Sequence, residues 1–558
     1  MTKKYFSWLL VFLFFFAALA SSAEFTRANA QRDRRAVAPP TPTATAAQAR
    51  TAATTKKLKE LQIRITGILQ QPQLASAMVG IKIVSLDTGR VLFEDNARKL
   101  LRPASNMKLY TVSAALDRLS PDFRFTTSVF VKSRPDAEGT VQGDLTIQGG
   151  GDPSIAARFN NGDYFKGIDD LATRIAAAGV KRVEGDLVGN EGYFTGPQYG
   201  SGWEWEDLQW YYGAEVSALT VNDNALDLFV KPAAQVGAPA LITTGPPDPL
   251  LTIVNRVTTG AKGTKRELRV QRGLGENTIE VSGSIALDDR GYTGGVAISH
   301  PALLFVSMLR SALAQHGVTV TGRSRTEGAV NQSLLTTGVT VISPLTVDQL
   351  DLHPVFEIAS MPSPPFSVVA AQTLKPSQNL YTELILRTLG ERARIVIADH
   401  LTVTLSPTTS TRTANSEDAG LEVIKAFLKE AGLNPDALVL SDGSGLSRND
   451  MVTAEATVQL LTFMSKHKYA NVLREALPIA GVDGTLRNRF KGTAAENNLR
   501  GKTGSLASAA SLSGYVTTAA GEHLAFSIMV NNYPSDAEPR TVCIDPIGVL
   551  LASYAGRP

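Results

Sequence analysis

One cysteine in 558 residues, Cys543, excludes an internal disulfide, so the fold must rest on its apolar core. No cysteine cluster suggests zinc. The six histidines (His300, His316, His353, His400, His467 and His523) show no metal-ligand spacing either. This pattern argues against a metalloenzyme, and no cofactor is implied. Excess charge of one sign is also missing. Lys+Arg number 55 and Asp+Glu 52, a formal net charge of +3. Lys3 and Lys4 supply two of those charges, so the chain beyond Ala23 carries 3 − 2 = +1. Nothing in that balance points to nucleic acid or to a membrane surface. A long hydrophobic run occurs once, from Phe6 to Leu19.

That run follows Lys3 and Lys4 and precedes the small residues Ala20, Ser21, Ser22 and Ala23, as in a secretory signal. It is shorter than the roughly 20 apolar residues that span a bilayer, which favours cleavage over anchoring. A second cut after Ala28-Asn29-Ala30 and an uncleaved anchor both stay open. With no cysteine nearby, lipid attachment there is excluded. Residues 24–56 are rich in Ala, Thr, Pro and Arg and read as a disordered tether.

A helix is expected near Lys57 to Gln70, then a hairpin from Met78 to Glu94 turning at Asp87-Thr88-Gly89. Arg102-Pro103-Ala104 breaks the chain before Ser105. From there Met107, Leu109, Val112, Ala115 and Leu116 recur at helical spacing until Pro121. Residues 121–350 alternate in short runs between glycine turns, with one clear helix from Pro301 to His316, and read as a β-rich insertion. Gly149-Gly150-Gly151-Asp152-Pro153 lacks the Lys-Ser/Thr ending of a phosphate loop and reads as a turn. Helices then fit Phe366–Leu374, Leu380–Leu389, Gly420–Ala431 and Ala454–Lys466. Strands fit Leu512–Thr518 and Leu524–Asn531, and a last helix fits Ile547–Tyr554. The first hairpin can complete a sheet begun by the last, giving one domain interrupted by the insertion.

Three short motifs stand in order: Ser105-Asn106-Met107-Lys108, Ser377-Gln378-Asn379 and Lys502-Thr503-Gly504. Residues i and i+3 share a helix face, so Ser105 and Lys108 are neighbours. A serine hydroxyl needs a base to take its proton. Neutral lysine can serve, if burial or a second cation, for which Lys502 is the candidate, lowers its usual value near 10.4. Ser377 can relay a proton to the leaving group, and the Asn379 amide can orient Lys108 and the substrate backbone. Lys502 and Thr503 can bind a free carboxylate, and Gly504 lets a substrate approach the strand edge. The N–H groups of Ser105 and Ser505 can hold an oxyanion. Each motif has a bland reading, and two have decoys. Ser465-Lys466-His467-Lys468 repeats the first and Ser447-Arg448-Asn449 the second. Ser377 read alone is an N-cap serine.

With these motifs the chain resembles the penicillin-recognising serine enzymes. It is most similar to the D-alanyl-D-alanine carboxypeptidase/endopeptidase family called class C low-molecular-mass penicillin-binding proteins (peptidase family S13). The similarity extends from about Leu58 to Tyr554. It includes Pro121-Asp122-Phe123-Arg124-Phe125, Gly149 to Pro153, Val216-Ser217-Ala218-Leu219, Ser363-Pro364-Pro365 and Asp442-Gly443-Ser444-Gly445-Leu446-Ser447. The resemblance implies an α+β transpeptidase-like fold, an antiparallel sheet flanked by helices, with a large β-rich insertion between the first and second motifs. The expected division is a signal (1–23), a linker (24–56), a catalytic domain in two parts (57–120 and 351–558) and the insertion (121–350).

Carried over residue by residue, the resemblance implies Ser105 as nucleophile and Lys108 as its base. Ser377, Asn379 and Lys502 complete the catalytic set, and Thr503, Gly504 and Ser505 bind substrate. It implies peptidoglycan stem peptides as partners and β-lactams as covalent inhibitors; the charge balance suggests no nucleic acid, and the N-terminal signal predicts an exported protein, periplasmic or loosely membrane-associated. Two alternatives remain beside it. One is a serine β-lactamase, for which Glu430-Ala431-Gly432-Leu433-Asn434 matches a deacylation pattern, although Gly432 also fits a helix end. The other is a non-catalytic wall-binding protein on the same fold.

Overall fold

Strands from the two ends of the chain meet in one sheet because each carries one apolar row for each face. The computed structural model describes residues 44–247, 250–328, 355–400 and 415–556. The chain divides into two units, Met1–Ala52 and Ala53–Pro558. The expected signal segment and its cleavage sites lie outside the described residues. So do residues 24–43 of the expected tether. From Ala44 the chain is helical instead, because the stretch is rich in alanine, the best helix former.

This helix, α1 (Ala44–Leu69), precedes the hairpin β1 (Met78–Ser85) and β2 (Val91–Asp95). A 3-10 turn, Ala104–Asn106, then opens α2 (Met107–Leu119). In the insertion come β3 (Thr126–Val131), β4 (Leu145–Gln148), α3 (Lys166–Ala177), β5 (Leu187–Asn190), α4 (Pro301–Gln315), β6 (Ser324–Glu327) and β7 (Phe356–Pro362). The helices α5 (Phe366–Leu374), α6 (Asn379–His400), α7 (Ser416–Glu430), α8 (Ala454–Lys466) and α9 (Ala470–Ala476) follow. The chain closes with β8 (Arg500–Leu506), β9 (Ala509–Thr517), β10 (His523–Asn531) and α10 (Asp545–Ser553).

The central sheet runs β8-β9-β10-β1-β2 and is antiparallel throughout. The first hairpin does complete a sheet begun by the last. In β10, Leu524, Phe526, Ile528 and Val530 pack on one face with Leu58, Leu61 and Ile65 of α1 and Ile547 and Leu551 of α10. Ala525 and Met529 pack on the other face with α2 and with residues of α5 to α9. Every residue of α2 from Met107 to Leu116 is buried, so α2 is a core helix enclosed on all sides. Its first turn carries the first motif into the centre of the molecule.

The insertion is more layered than the alternating runs suggest. Its five-stranded sheet, ordered β6-β5-β4-β3-β7, shares one core with α3 and α4. The sequence pattern shows only α4 of that pair. Strand β7 pairs antiparallel with β3, so this sheet runs to Pro362, past the expected boundary at 350. Gly149 to Pro153 is irregular loop, and Gly151 donates its N–H to the Ala218 carbonyl (2.9 Å). Phe194, Val216 and Ala218 pack against Leu380, Tyr381 and Leu384, which seats the insertion on the first turns of α6.

Candidate active site

The three motifs converge where α2, α6 and β8 begin. Ala104 has φ +48°, a left-handed conformation that non-glycine residues rarely adopt, and the chain turns there to present Ser105. One helical turn on, Lys108 is wholly buried. Its Nζ lies 3.0 Å from Ser105 Oγ, 2.6 Å from Asn379 Oδ1 and 2.7 Å from the Ser444 carbonyl. A neutral amine can donate to Asn379 and Ser444 and turn its lone pair toward the Ser105 hydroxyl. Burial brings Lys108 down to about 7, against the opposing pull of Asp442, Glu383 and Asp450. Burial therefore does the work that the sequence assigns in part to Lys502.

Lys502 is the second buried amine. Its Nζ donates to Ser377 Oγ (2.8 Å) and to the Thr503 carbonyl (2.7 Å). Burial, and then the charge of Lys108, hold it well below the usual lysine range. Ser377 has φ +66°, so it is not the N-cap its position suggests, and α6 starts at Asn379. Asn379 places its carbonyl oxygen on Lys108 and donates its Nδ2 to the Tyr212 carbonyl of the insertion (2.8 Å). Thr503 Oγ1 donates to Thr485 Oγ1 (2.7 Å), and Ser505 is exposed at the strand's end.

Gly504 has a reason that the sequence does not show. A Cβ there would stand 2.2 Å from Ser511 Oγ and 2.6 Å from the Pro103 carbonyl. Its bareness lets β8 lie against the turn that carries Ser105. Gly445 does the same from the opposite side. It has φ +78°, and a Cβ would stand 1.9 Å from the Ala104 carbonyl.

All three motifs are thus brought together, while the decoys lie elsewhere or are otherwise engaged. Ser465 Oγ donates to the Thr462 carbonyl at the end of α8 (2.7 Å), and Lys468 rests over the Tyr469 ring. Ser447 Oγ accepts from the Asn449 amide (3.3 Å). Glu430 is exposed at the end of α7 and paired with Arg118 (2.7 Å), and Gly432 follows with φ +82°. That is the helix end anticipated for it, not a buried site for a water. The functional contact that sequence reasoning misses is Ser444. Its carbonyl meets the amine inside the Asp442–Ser447 stretch, which the sequence marks by its two glycines and its place in the resemblance, but not by any contact with Lys108.

Comparison with known proteins gives the same picture along the chain. The model of the D-Ala-D-Ala carboxypeptidase 3 (S13) family matches residues 61–334 and 323–554. A D-alanyl-D-alanine carboxypeptidase of Actinomadura sp. (strain R39) is 35% identical over 515 residues, 90% of this chain and 86% of that one. The D-alanyl-D-alanine carboxypeptidase DacB of Haemophilus influenzae is 24% identical over 473 residues, covering 83% and 87%. The crystal structure of penicillin-binding protein 4 from Haemophilus influenzae superposes with a TM-score of 0.70 at 21% identity, covering 88% of this chain and all of that one. The last match bears on the fold, the first two on the lineage. The chain belongs to the D-Ala-D-Ala carboxypeptidase 3 (S13) family.

Proposed function

We propose that the protein is a serine D,D-peptidase that cleaves peptidoglycan stem peptides through an acyl-enzyme on Ser105. The observation that carries this is the buried Lys108 amine, 3.0 Å from Ser105 Oγ and brought down to about 7. That value lies near the optimum for a general base at neutral pH. Lys108 takes the Ser105 proton as the oxygen attacks the carbonyl of the penultimate D-Ala. The amides of Ser105 and Ser505 receive the oxyanion. Ser377, joined to Lys502, relays to the leaving amine the proton that Lys108 took from Ser105, which leaves Lys108 neutral again for the attack of water. Thr503 and Lys502 receive the terminal carboxylate. Water then releases the peptide from Ser105.

Free D-Ala as leaving group makes the reaction a carboxypeptidase reaction. The amine of a cross-linked neighbour makes it an endopeptidase reaction. A β-lactam acylates the same oxygen and leaves it slowly. The substrate lies outside the cytoplasm, in keeping with the basic and apolar N-terminus, and we place the protein in the periplasm, free or loosely held at the membrane. Among the described residues no helix is long and apolar enough to cross a membrane.

The experiment is D-alanine release from a diacylated D-Ala-D-Ala peptide by protein lacking residues 1–30, beside Ser105→Ala. Release by the wild type, lost in the variant and blocked by penicillin, is the expected result. If the wild type neither releases D-alanine nor takes up labelled penicillin, the reading is wrong.

A further inference from the structure

Seven consecutive backbone N–H groups, from Ser441 to Ser447, all end on buried carboxylates. Asp450 Oδ1 accepts from Ser441 (2.6 Å) and Asp442 (3.4 Å). Glu383, on α6 one turn past Asn379, accepts from Gly443 (3.0 Å). Asp442 takes the other four: Ser444 (3.1 Å) and Gly445 (2.6 Å) on Oδ1, Leu446 (3.1 Å) and Ser447 (3.0 Å) on Oδ2. Ser444 Oγ (2.9 Å) and Trp203 Nε1 (2.8 Å) also donate to Asp442 Oδ2. All three carboxylates are inaccessible to solvent.

Turning every amide inward leaves the carbonyls of this loop for other partners. The Gly443 carbonyl accepts from Thr111 (2.7 Å), and the Ser444 carbonyl accepts from Lys108 (2.7 Å). Six donors on one carboxyl group are what an ionised, acceptor-only carboxylate takes. Glu383 and Asp450 differ, since burial first and then the charge of Asp442 push both well above the usual carboxyl range. Both therefore keep a proton more readily than an ordinary carboxyl group, whereas Asp442 collects the six donors.

We propose that Asp442 is a positioning residue for acylation: it gathers the amides of Ser444 to Ser447, aims the Ser444 carbonyl at Lys108 Nζ, and sets the basicity of that amine by its charge. This rests on Ser105 and Lys108 acting as nucleophile and base. The groups facing Lys108 are Ser105 on its own helix, Asn379 and Glu383 on α6, Asp442, Asp450 and the Ser444 carbonyl of the loop, and Lys502 on β8. Arg387 and Glu417 lie behind Glu383 as a buried pair (3.4 Å). Asp442 gives the largest of the three carboxylate pulls toward the ammonium form, so removing its charge lowers the pH at which Lys108 becomes a free base.

The test is the rate of Ser105 acylation by a fluorescent penicillin between pH 5 and 9, on the whole protein and on Asp442→Asn. Asn keeps one acceptor oxygen and drops the charge. The expected result is an acid limb moved down by roughly one pH unit, with a slower plateau from a weaker base. A variant slower at every pH with its acid limb unmoved would reduce Asp442 to a loop anchor and overturn the proposal. Glu383→Gln, which keeps an acceptor for Gly443, is the companion should Asp442→Asn fail to fold. Because Glu383 pulls on the amine less than Asp442 does, its acid limb is expected to move less than that of Asp442→Asn. A comparable shift there would give the role to Glu383 instead. A wild type that takes no penicillin at Ser105 would bring down the acyl-enzyme reading itself, and this is seen before any variant is made.

Discussion

Two stretches of this molecule spell the same Ser-x-x-Lys pattern, and their surroundings could hardly differ more. At the start of α2, Lys108 is wholly buried and its amine is shared among a serine hydroxyl, an asparagine oxygen and a backbone carbonyl. In the last turn of α8, Ser465 Oγ returns to its own helix, and beyond it Lys468 lies exposed over a tyrosine ring. The residues are alike but the desolvation is not. A lysine in water stays an ammonium at neutral pH and cannot take a proton. Burial gives Lys108 a lone pair there, so the chemistry belongs to the site and not to the spelling.

The sharpest way to break this comparison is to remove the oxygen. Ser105→Ala is expected to lower D-alanine release by at least about a thousandfold. Lys108→Ala follows, at roughly a hundredfold to ten-thousandfold. Steady-state rates with a D-Ala-D-Ala peptide check both.

The pH dependence comes next. Lys108 must be neutral to act, so the wild-type acylation rate should climb as pH passes about 7. Stopped-flow labelling with penicillin reads that limb directly.

The same amine leaves a mark on stability. Its folded value, about 7, lies below the ordinary lysine value of 10.5. Between those values the unfolded chain holds a proton that the folded chain does not, so stability rises with pH across that window. Wild type should therefore gain on Lys108→Met by up to about 2 kcal/mol between pH 7 and pH 9. Denaturant titrations at the two pH values measure it.

The smallest effect belongs to the decoy. Ser465→Ala and Lys468→Ala should each stay within about 0.5 kcal/mol of wild type in stability and leave the rate unchanged.

How much of the molecule is legible in the chain follows the same division. Local patterns place α2, α4, α5, α8 and both hairpins, because apolar spacing there matches the elements that form. The order of the three motifs along the chain is enough to mark Ser105, Ser377 and Lys502. What spacing cannot reveal is which distant groups meet. The Ser444 carbonyl reaches Lys108 through a loop held by Glu383 and Asp450 as well as Asp442, a tertiary arrangement without a sequence period. In sequence Gly504 reads as room for a substrate, yet the nearest claims on that space are Ser511 Oγ and the Pro103 carbonyl. The α3 helix is hidden among short alternating runs, and β7 continues the insertion's sheet because it pairs with β3, far back in the chain.

The measurement that bears most directly on the central claim is the site of penicillin attachment, found by peptide mass spectrometry on the labelled wild type. The account predicts one penicilloyl group, on the peptide carrying Ser105, and none on the peptide carrying Ser465. Attachment at any other residue, or none at all, would contradict it.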